Sequence, residues 1–309
     1  MPSLTGNTEE STPWAGLDRR ANFFEDDAIR DLVARAVDYA TAGVCLHLSG
    51  TAGLGKTTLA LRIAQEMGRP VAFMAGNEWL TSRDFVGSEV GSTATTVVDK
   101  YVQSVHRTER QTRADWRFSM LAHAMEQGNT LVYDEFTRAT PEANATLLSV
   151  LEEGVLISTD PASPQDTILA HPEFRIILTS NPHDYVGVNS APDAFLDRVL
   201  TLRMEEPGID TISGIIALRT GLPTAESQRI ARVVSAVRTS APNAQFSTLR
   251  SALLSARIAA PRCASGALPD TDLAQILTDV LTGRGVADAA HHIDRALESG
   301  SGKSKAKAA

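Results

Sequence analysis

The chain has 309 residues, of which 43% are hydrophobic and 21% charged, a composition typical of a globular protein and not of a disordered one. Its formal net charge of −8 argues against a surface built mainly to bind nucleic acid phosphates. No apolar run is long enough to span a membrane, and the two cysteines, Cys45 and Cys263, lack the spacing of a disulfide framework or a zinc site. We expect a soluble, cytoplasmic protein that binds neither nucleic acid nor membrane.

The N-terminal part of the chain predicts a flexible arm followed by a helix. Residues 1–21 are rich in Ser, Thr, Gly, Pro and charge. From Asp27 to Thr41 apolar residues recur at helical spacing, and Gly43 stands where a helix C-cap is expected. This helix would lead into the first strand of the core.

Short apolar runs then alternate with helical segments, which indicates a parallel sheet with helices on both faces. The predicted strands are Val44–Leu48, Val71–Met74, Thr130–Asp134, Arg175–Thr179 and Val199–Leu202. Before the fourth strand, two further runs flank a turn segment and predict a projecting β-hairpin; they are Leu156–Ser158 and Thr167–Leu169. We therefore expect an α/β core over residues 22–206.

The last third of the sequence predicts helices alone. From Thr211 onward the pattern is helical and Ala-rich, with breaks at prolines. We expect a small helical lid domain over residues 207–297 and a flexible basic tail over residues 298–309.

The first predicted strand runs into a segment of the form G-x-x-x-x-G-K-T, and a helical pattern follows it. In that context backbone N–H groups surround a phosphate chain, Lys56 reaches the β- and γ-phosphates, and the Thr57 hydroxyl holds Mg²⁺. A glycine-rich turn that matches by chance is the alternative. The residues predicted to bind ATP are Gly50, Thr51, Ala52, Gly53, Leu54, Gly55, Lys56, Thr57 and Thr58.

Polar residues follow the third and fourth predicted strands. Asp134 and Glu135 end the third strand, where Asp134 would hold Mg²⁺ and Glu135 would deprotonate the attacking water. Asn181 follows the fourth strand and can hydrogen-bond the lytic water or the γ-phosphate, although a turn-forming Asn would give the same pattern.

Two arginines are candidates for contacts with the γ-phosphate. Arg198 precedes the last strand and could reach the site of a neighbouring subunit, whereas a surface pair with Asp197 is the alternative. Arg250 opens a helix of the lid domain and could contact bound nucleotide, or it could simply lie on a helix surface.

These motifs, in this order, resemble the MoxR-type branch of the AAA+ ATPases over residues 23–260. Three segments are similar to the GvpN family of gas vesicle proteins: Asp134–Asn144, Leu147–Leu156 and Val97–Tyr101. The resemblance implies the AAA+ fold, a P-loop αβα core with a five-stranded parallel sheet and a small C-terminal helical lid domain. It also implies an ATPase that assists gas vesicle assembly in the cytoplasm, in association with the vesicles.

In this interpretation ATP and Mg²⁺ bind at subunit boundaries of a hexameric homo-oligomeric ring, and the partners are gas vesicle structural or accessory proteins. AAA+ rings often carry an aromatic–apolar–Gly element that grips a polypeptide, so Phe85 and Val86 are candidates for client contacts. Packing of Phe85 under a loop is the alternative. A basic cluster is interpreted as a solvated helix face; its members are Arg107, Arg110, Arg113 and Arg117.

The sequence is also compatible with three other functions. A MoxR-type ATPase could remodel an enzyme or aid metal insertion into it. A nucleic-acid motor would show DNA-stimulated hydrolysis, against which the acidic net charge counts. A scaffold could bind nucleotide without hydrolysing it.

Overall fold

A computed structural model describes residues 23–98, 108–181, 193–242, 244, 246–263 and 266–305. The expected arm over residues 1–21 lies outside this range. The described residues divide into two compact units. The helical unit comprises the described residues up to Asp31, the segment Thr51–Gly55 and the described residues from Glu205 onward. The sheet unit comprises the described residues of Leu32–Gly50 and Lys56–Met204.

Within the described residues, five strands form one parallel sheet. They are β1 (Leu46–Ser49), β2 (Val71–Ala75), β5 (Thr130–Asp134), β8 (Arg175–Ser180) and β9 (Leu200–Arg203). Their order across the sheet is β2-β5-β8-β1-β9, and every neighbouring pair is parallel. The five-stranded parallel sheet predicted from the apolar runs is thus confirmed.

The register of the sheet brings the carboxyl ends of its strands to one edge. Ser49 of β1 pairs with Ser180 of β8, and Ala75 of β2 pairs with Asp134 of β5. The polar residues that follow these strands therefore emerge side by side, as parallel strands require.

Seven helices of the described residues precede or connect the strands of the sheet. They are α1 (Asp27–Thr41), α2 (Lys56–Glu66), α3 (Ser82–Val86), α4 (Met120–Gln127), α5 (Pro141–Ala145), α6 (Leu148–Glu153) and α7 (Asp193–Leu196). The Ser119 hydroxyl caps α4 and Gly128 ends it in the left-handed conformation, while Thr140 caps α5. Helix α1 has the bounds predicted from its apolar spacing.

Aromatic residues lie in the largely aliphatic core of the sheet unit. The ring of Phe85 meets the ring of Tyr133 edge to face, with 5.8 Å between centroids, and both side chains are completely buried. Val86 is buried as well. The structure thus supports the packing alternative for Phe85 and Val86, because neither side chain is available to grip a client.

Among the described residues, two antiparallel hairpins lie outside the parallel sheet. The predicted one is present, formed by β6 (Val155–Ile157) and β7 (Thr167–Leu169). The other, formed by β3 (Gly87–Val98) and β4 (Thr108–Phe118), was not predicted. Its strand β4 contains Arg110, Arg113 and Arg117, so the interpretation of this basic cluster as a helix face is wrong; Arg107 lies outside the described residues. β-Branched Thr and Val, frequent in β3, favour strands over helices.

The helical unit contains α8 (Ile209–Thr220), α9 (Thr224–Ser240), α10 (Thr248–Cys263), α11 (Asp270–Thr282) and α12 (Ala289–Lys305). Buried aliphatic side chains from these helices form its core, among them Ile216, Val234 and Leu277. Helix α12 reaches Lys305 and so occupies much of the tail expected to be flexible; the Ser299 hydroxyl bonds the Arg295 carbonyl within it. None of the described helices could cross a membrane.

Candidate functional site

The glycine loop after β1 needs glycine at two positions. Gly53 and Gly55 have φ of +90° and +88°, in the left-handed region that side chains disfavour. A Cβ on Gly53 would also press on the Ser247 side chain and lie 2.8 Å from Cδ of Arg250. Within the helical unit, the start of α10 therefore lies directly against this loop, and Arg250 lies beside it.

Lys56, the first residue of α2, is 6% exposed despite its charge. Its Nζ donates hydrogen bonds of 2.8 Å to the Gly50 carbonyl and of 2.8 Å to Oδ1 of Asn181. Buried ammonium groups need such partners. The loop lysine and the polar residue after β8 are thus in direct contact.

The Asp134 carboxylate joins three elements at the sheet edge. Its Oδ1 accepts hydrogen bonds from Thr57 Oγ1 at 2.7 Å and from Thr179 Oγ1 at 2.6 Å. A carboxylate and a hydroxyl in contact are oxygen ligands of the kind that Mg²⁺ uses together with substrate phosphates. The two residues predicted to hold Mg²⁺, Thr57 and Asp134, therefore lie together.

Glu135 has an unusual backbone. Its φ of +50° places it in the left-handed region, and its N–H donates to Thr179 Oγ1 at 2.9 Å. The carbonyl of Glu135 packs so tightly on Gly76 that no Cβ would fit there. Nδ2 of Asn181 lies 3.5 Å from Oε1 of Glu135, and Arg138 forms an ion pair with Oε2. The backbone thus holds the carboxylate beside Asn181.

His47 lies on β1, between β8 and β9 in the sheet. Its ring nitrogens bond Thr201 Oγ1 at 3.0 Å and Ser180 Oγ at 2.8 Å, and the side chain is 3% exposed. Burial, with the Lys56 charge nearby as a second cause, lowers the pKa of His47 from 6.5 to about 4. At neutral pH His47 is uncharged and ties the end of β8 to β1 and β9.

Arg198 lies apart from this group within the sheet unit. Its Nε and Nη2 donate to Oε2 of Glu152 at 2.8 and 2.6 Å, and Nη1 donates to the Ala194 carbonyl at 2.7 Å. Its partner is therefore Glu152 on α6, and not the adjacent Asp197 that sequence reasoning considered.

The structure brings Lys56, Thr57, Asp134, Glu135 and Asn181 together in the sheet unit. Sequence reasoning missed four residues that support them: His47, Gly76, Arg138 and Thr179. A histidine inside an apolar strand run and a glycine at a strand end were the signals for the first two. Neither Thr179 nor Arg138 carried a signal of its own.

Residues 45–199, which include all the strands of the parallel sheet except the last, match the family described as AAA domain (dynein-related subfamily). The chain belongs to this family.

Curated relatives of this AAA domain chain include two gas vesicle ATPases. Gas vesicle ATPase GvpN of Ancylobacter aquaticus is 40% identical over 235 residues, which cover 76% of this chain and 66% of the relative. Gas vesicle ATPase GvpN1 of Halobacterium salinarum is 37% identical over 190 residues, which cover 62% of this chain and 55% of the relative. The chain thus spans less than two thirds of these relatives. The resemblance to GvpN is confirmed.

A solved structure shares the fold of this AAA chain. A mutant of RuvB from Thermotoga maritima superimposes with a TM-score of 0.50 at 17% identity, and the match covers 84% of this chain and 71% of RuvB. At this identity the match supports the AAA+ fold alone.

Proposed function

We propose that this AAA protein binds ATP with Mg²⁺ and hydrolyses it to ADP and phosphate. The observation that carries the proposal is the contact of Thr57, on the helix after the glycine loop, with Asp134 at the tip of β5. It joins a phosphate-binding segment to a carboxylate, and Lys56 lies in the adjoining position with its ammonium buried.

Each residue in the group has a role that its surroundings suit. The loop residues Gly50–Thr58 would surround the phosphates, and Lys56 would exchange its bond to Asn181 for a phosphate oxygen. Thr57 and Asp134 would hold Mg²⁺, which when bound offsets the negative charge of the phosphates. Glu135 would take the proton of the attacking water, and the Asn181 amide would orient that water.

Two variants test binding and hydrolysis separately. Lys56→Ala should weaken ATP binding in equilibrium titrations, because it removes the cation at the base of the loop; exposed Arg35→Ala is its control. Glu135→Gln should retain ATP and lose phosphate release, since the amide cannot accept the proton; exposed Glu153→Gln is its control. Unchanged affinity in the first variant, or normal turnover in the second, would contradict the assigned roles.

We further propose that the chain works as a homo-oligomeric ring, a hexamer, in which Arg198 completes the site of the neighbouring subunit. Arg198 is held by an ion pair with Glu152 in which its side chain is 29% exposed, so a docking subunit can reach it. Arg250, beside Gly53, is proposed to contact the nucleotide of its own chain. Sedimentation with and without ATP tests the ring, and a chain that stays monomeric with ATP would refute it.

The names of the gas vesicle ATPases among the relatives support gas vesicle assembly as the process served by this hydrolysis. The clients would be gas vesicle structural or accessory proteins, met in the cytoplasm at growing vesicles. Deletion of the gene in its host should remove the vesicles seen by electron microscopy, and the wild-type gene, but not its Glu135→Gln form, should restore them. Intact vesicles in the deletion strain would refute this role and favour a MoxR-type role on an enzyme.

A further inference from the structure

The two carboxylate oxygens of Glu135 have different neighbours. Oε1 lies 3.5 Å from the Asn181 amide, whereas Oε2 pairs with Nε of Arg138. We propose that Arg138 is a positioning residue, which holds Oε2 so that Oε1 is the oxygen that receives the proton from water. This inference rests on the proposed role of Glu135 as the base.

The backbone around the pair is fixed, so the side chains carry the remaining freedom. The Glu135 N–H bonds Thr179 Oγ1 at 2.9 Å, and the Arg138 N–H bonds the Glu135 carbonyl at 2.9 Å, which closes a 3-10 turn. Phe136 between them is buried and stacks on Phe195, with 5.7 Å between ring centroids. The turn therefore fixes the backbone positions of Glu135 and Arg138, from which the Arg138 side chain, 51% exposed, reaches the Glu135 carboxylate.

A glutamate side chain in such a position needs a restraint. The Glu135 side chain is 32% exposed, and a Glu side chain free to rotate loses rotamer entropy when it is ordered. The planar guanidinium of Arg138 removes part of that freedom before substrate arrives, because it directs a donor at one oxygen. Since productive geometry tolerates little displacement, loss of this restraint should slow the chemical step and leave ATP affinity unchanged.

The test is steady-state ATP hydrolysis by the full chain. Arg138→Ala should lower kcat about fivefold, the rate equivalent of one exposed ion pair, with KM for ATP unchanged. Arg138→Lys, which keeps a cation with a less directed donor, should recover part of the loss. Arg83→Ala is the matched control. Arg83 is an exposed arginine on α3, outside the turn, and it pairs with Asp160 at 3.6 Å.

A second background separates positioning from structural damage. In Glu135→Gln chains, Arg138→Ala should not change the residual hydrolysis, because no base remains to be positioned. An unchanged or raised kcat in Arg138→Ala would overturn the proposal, the raised value by showing that the pair restrains Glu135 from acting. A change in KM alone would also overturn it. If Glu135→Gln itself turned over normally, the proposed base would fail first, whatever Arg138 does.

Discussion

Acidification should destabilise the sheet unit through His47. In the folded chain its pKa lies near 4 because the ring is buried, whereas in the unfolded chain it returns to 6.5. Since the folded value is the lower one, the full stability is present above pH 6.5 and is lost as the pH falls toward 4. At pH 5 the unfolded ring is protonated and the folded one is largely not, which costs about 2 kcal/mol of unfolding free energy.

The measurement compares wild type with His47→Gln. The Gln amide can bond both Ser180 and Thr201 but cannot titrate, so it serves as the matched variant. Urea unfolding at pH 7.5 and pH 5 can be followed by tryptophan fluorescence, because Trp79 and Trp116 lie in the sheet unit. Between these pH values the wild type should lose about 2 kcal/mol more than the variant.

Proton NMR reports the protonation of His47 directly. The imidazole resonances of His47, assigned by their loss in the Gln variant, should show no titration between pH 8 and pH 5.5. An ordinary midpoint near 6.5, or equal losses of stability in the two proteins, would refute the assignment of a buried, neutral ring.

Three further changes test other parts of the molecule. Gly53→Ala should weaken ATP binding about tenfold in calorimetric titration, because the added methyl group would press on Ser247 and Arg250. Gly221→Ala is the control for backbone strain, because Gly221 also has a positive φ but has no atom of the described residues near an added Cβ. Phe85→Ala should lower the unfolding free energy by about 3–5 kcal/mol, and unchanged stability with loss of vesicle assembly would restore the client-contact interpretation. Arg198→Ala should bind ATP normally, but its turnover per chain should not rise with protein concentration. Glu152→Ala, the control, should keep that rise. If the turnover of Arg198→Ala rises with protein concentration as in the wild type, a role in the neighbouring site is contradicted.

The three inner strands of the sheet, β1, β5 and β8, were predictable because most of their residues are buried. Each of the three therefore appears as an apolar run that Gly, Asp or Asn follows or ends, and the helix over Asp27–Thr41 shows the helical period. The β3–β4 hairpin gives neither signal, since β3 is made largely of Ser, Thr, Ala and Gly without an apolar face. Single-residue preferences for strand were its only trace, and these are weak.

The site was predictable to the extent that chain order determines it. Parallel strands place Thr57, Asp134 and Asn181 at one edge, so their proximity follows from topology. The partner of Arg198 does not follow from chain order, because Glu152 on α6 meets it through packing. Thr201 becomes the partner of His47 only through the order of the strands, which places β9 beside β1 with these two residues in register. Strand order likewise explains why the role of Thr179 was missed. Its hydroxyl donates to the Asp134 carboxylate and accepts from the Glu135 N–H only because β8 lies beside β5.

The left-handed backbone at Glu135 has a consequence for anyone who engineers heat resistance into this protein. Glycine or asparagine would occupy that conformation at lower cost, so either should make the folded chain more robust. Each would also delete the proton acceptor that we assign to this position. These substitutions at position 135 should therefore raise thermal stability at the expense of the proposed ATP hydrolysis. A screen that selects for thermal stability alone would then select variants that lack the proposed base.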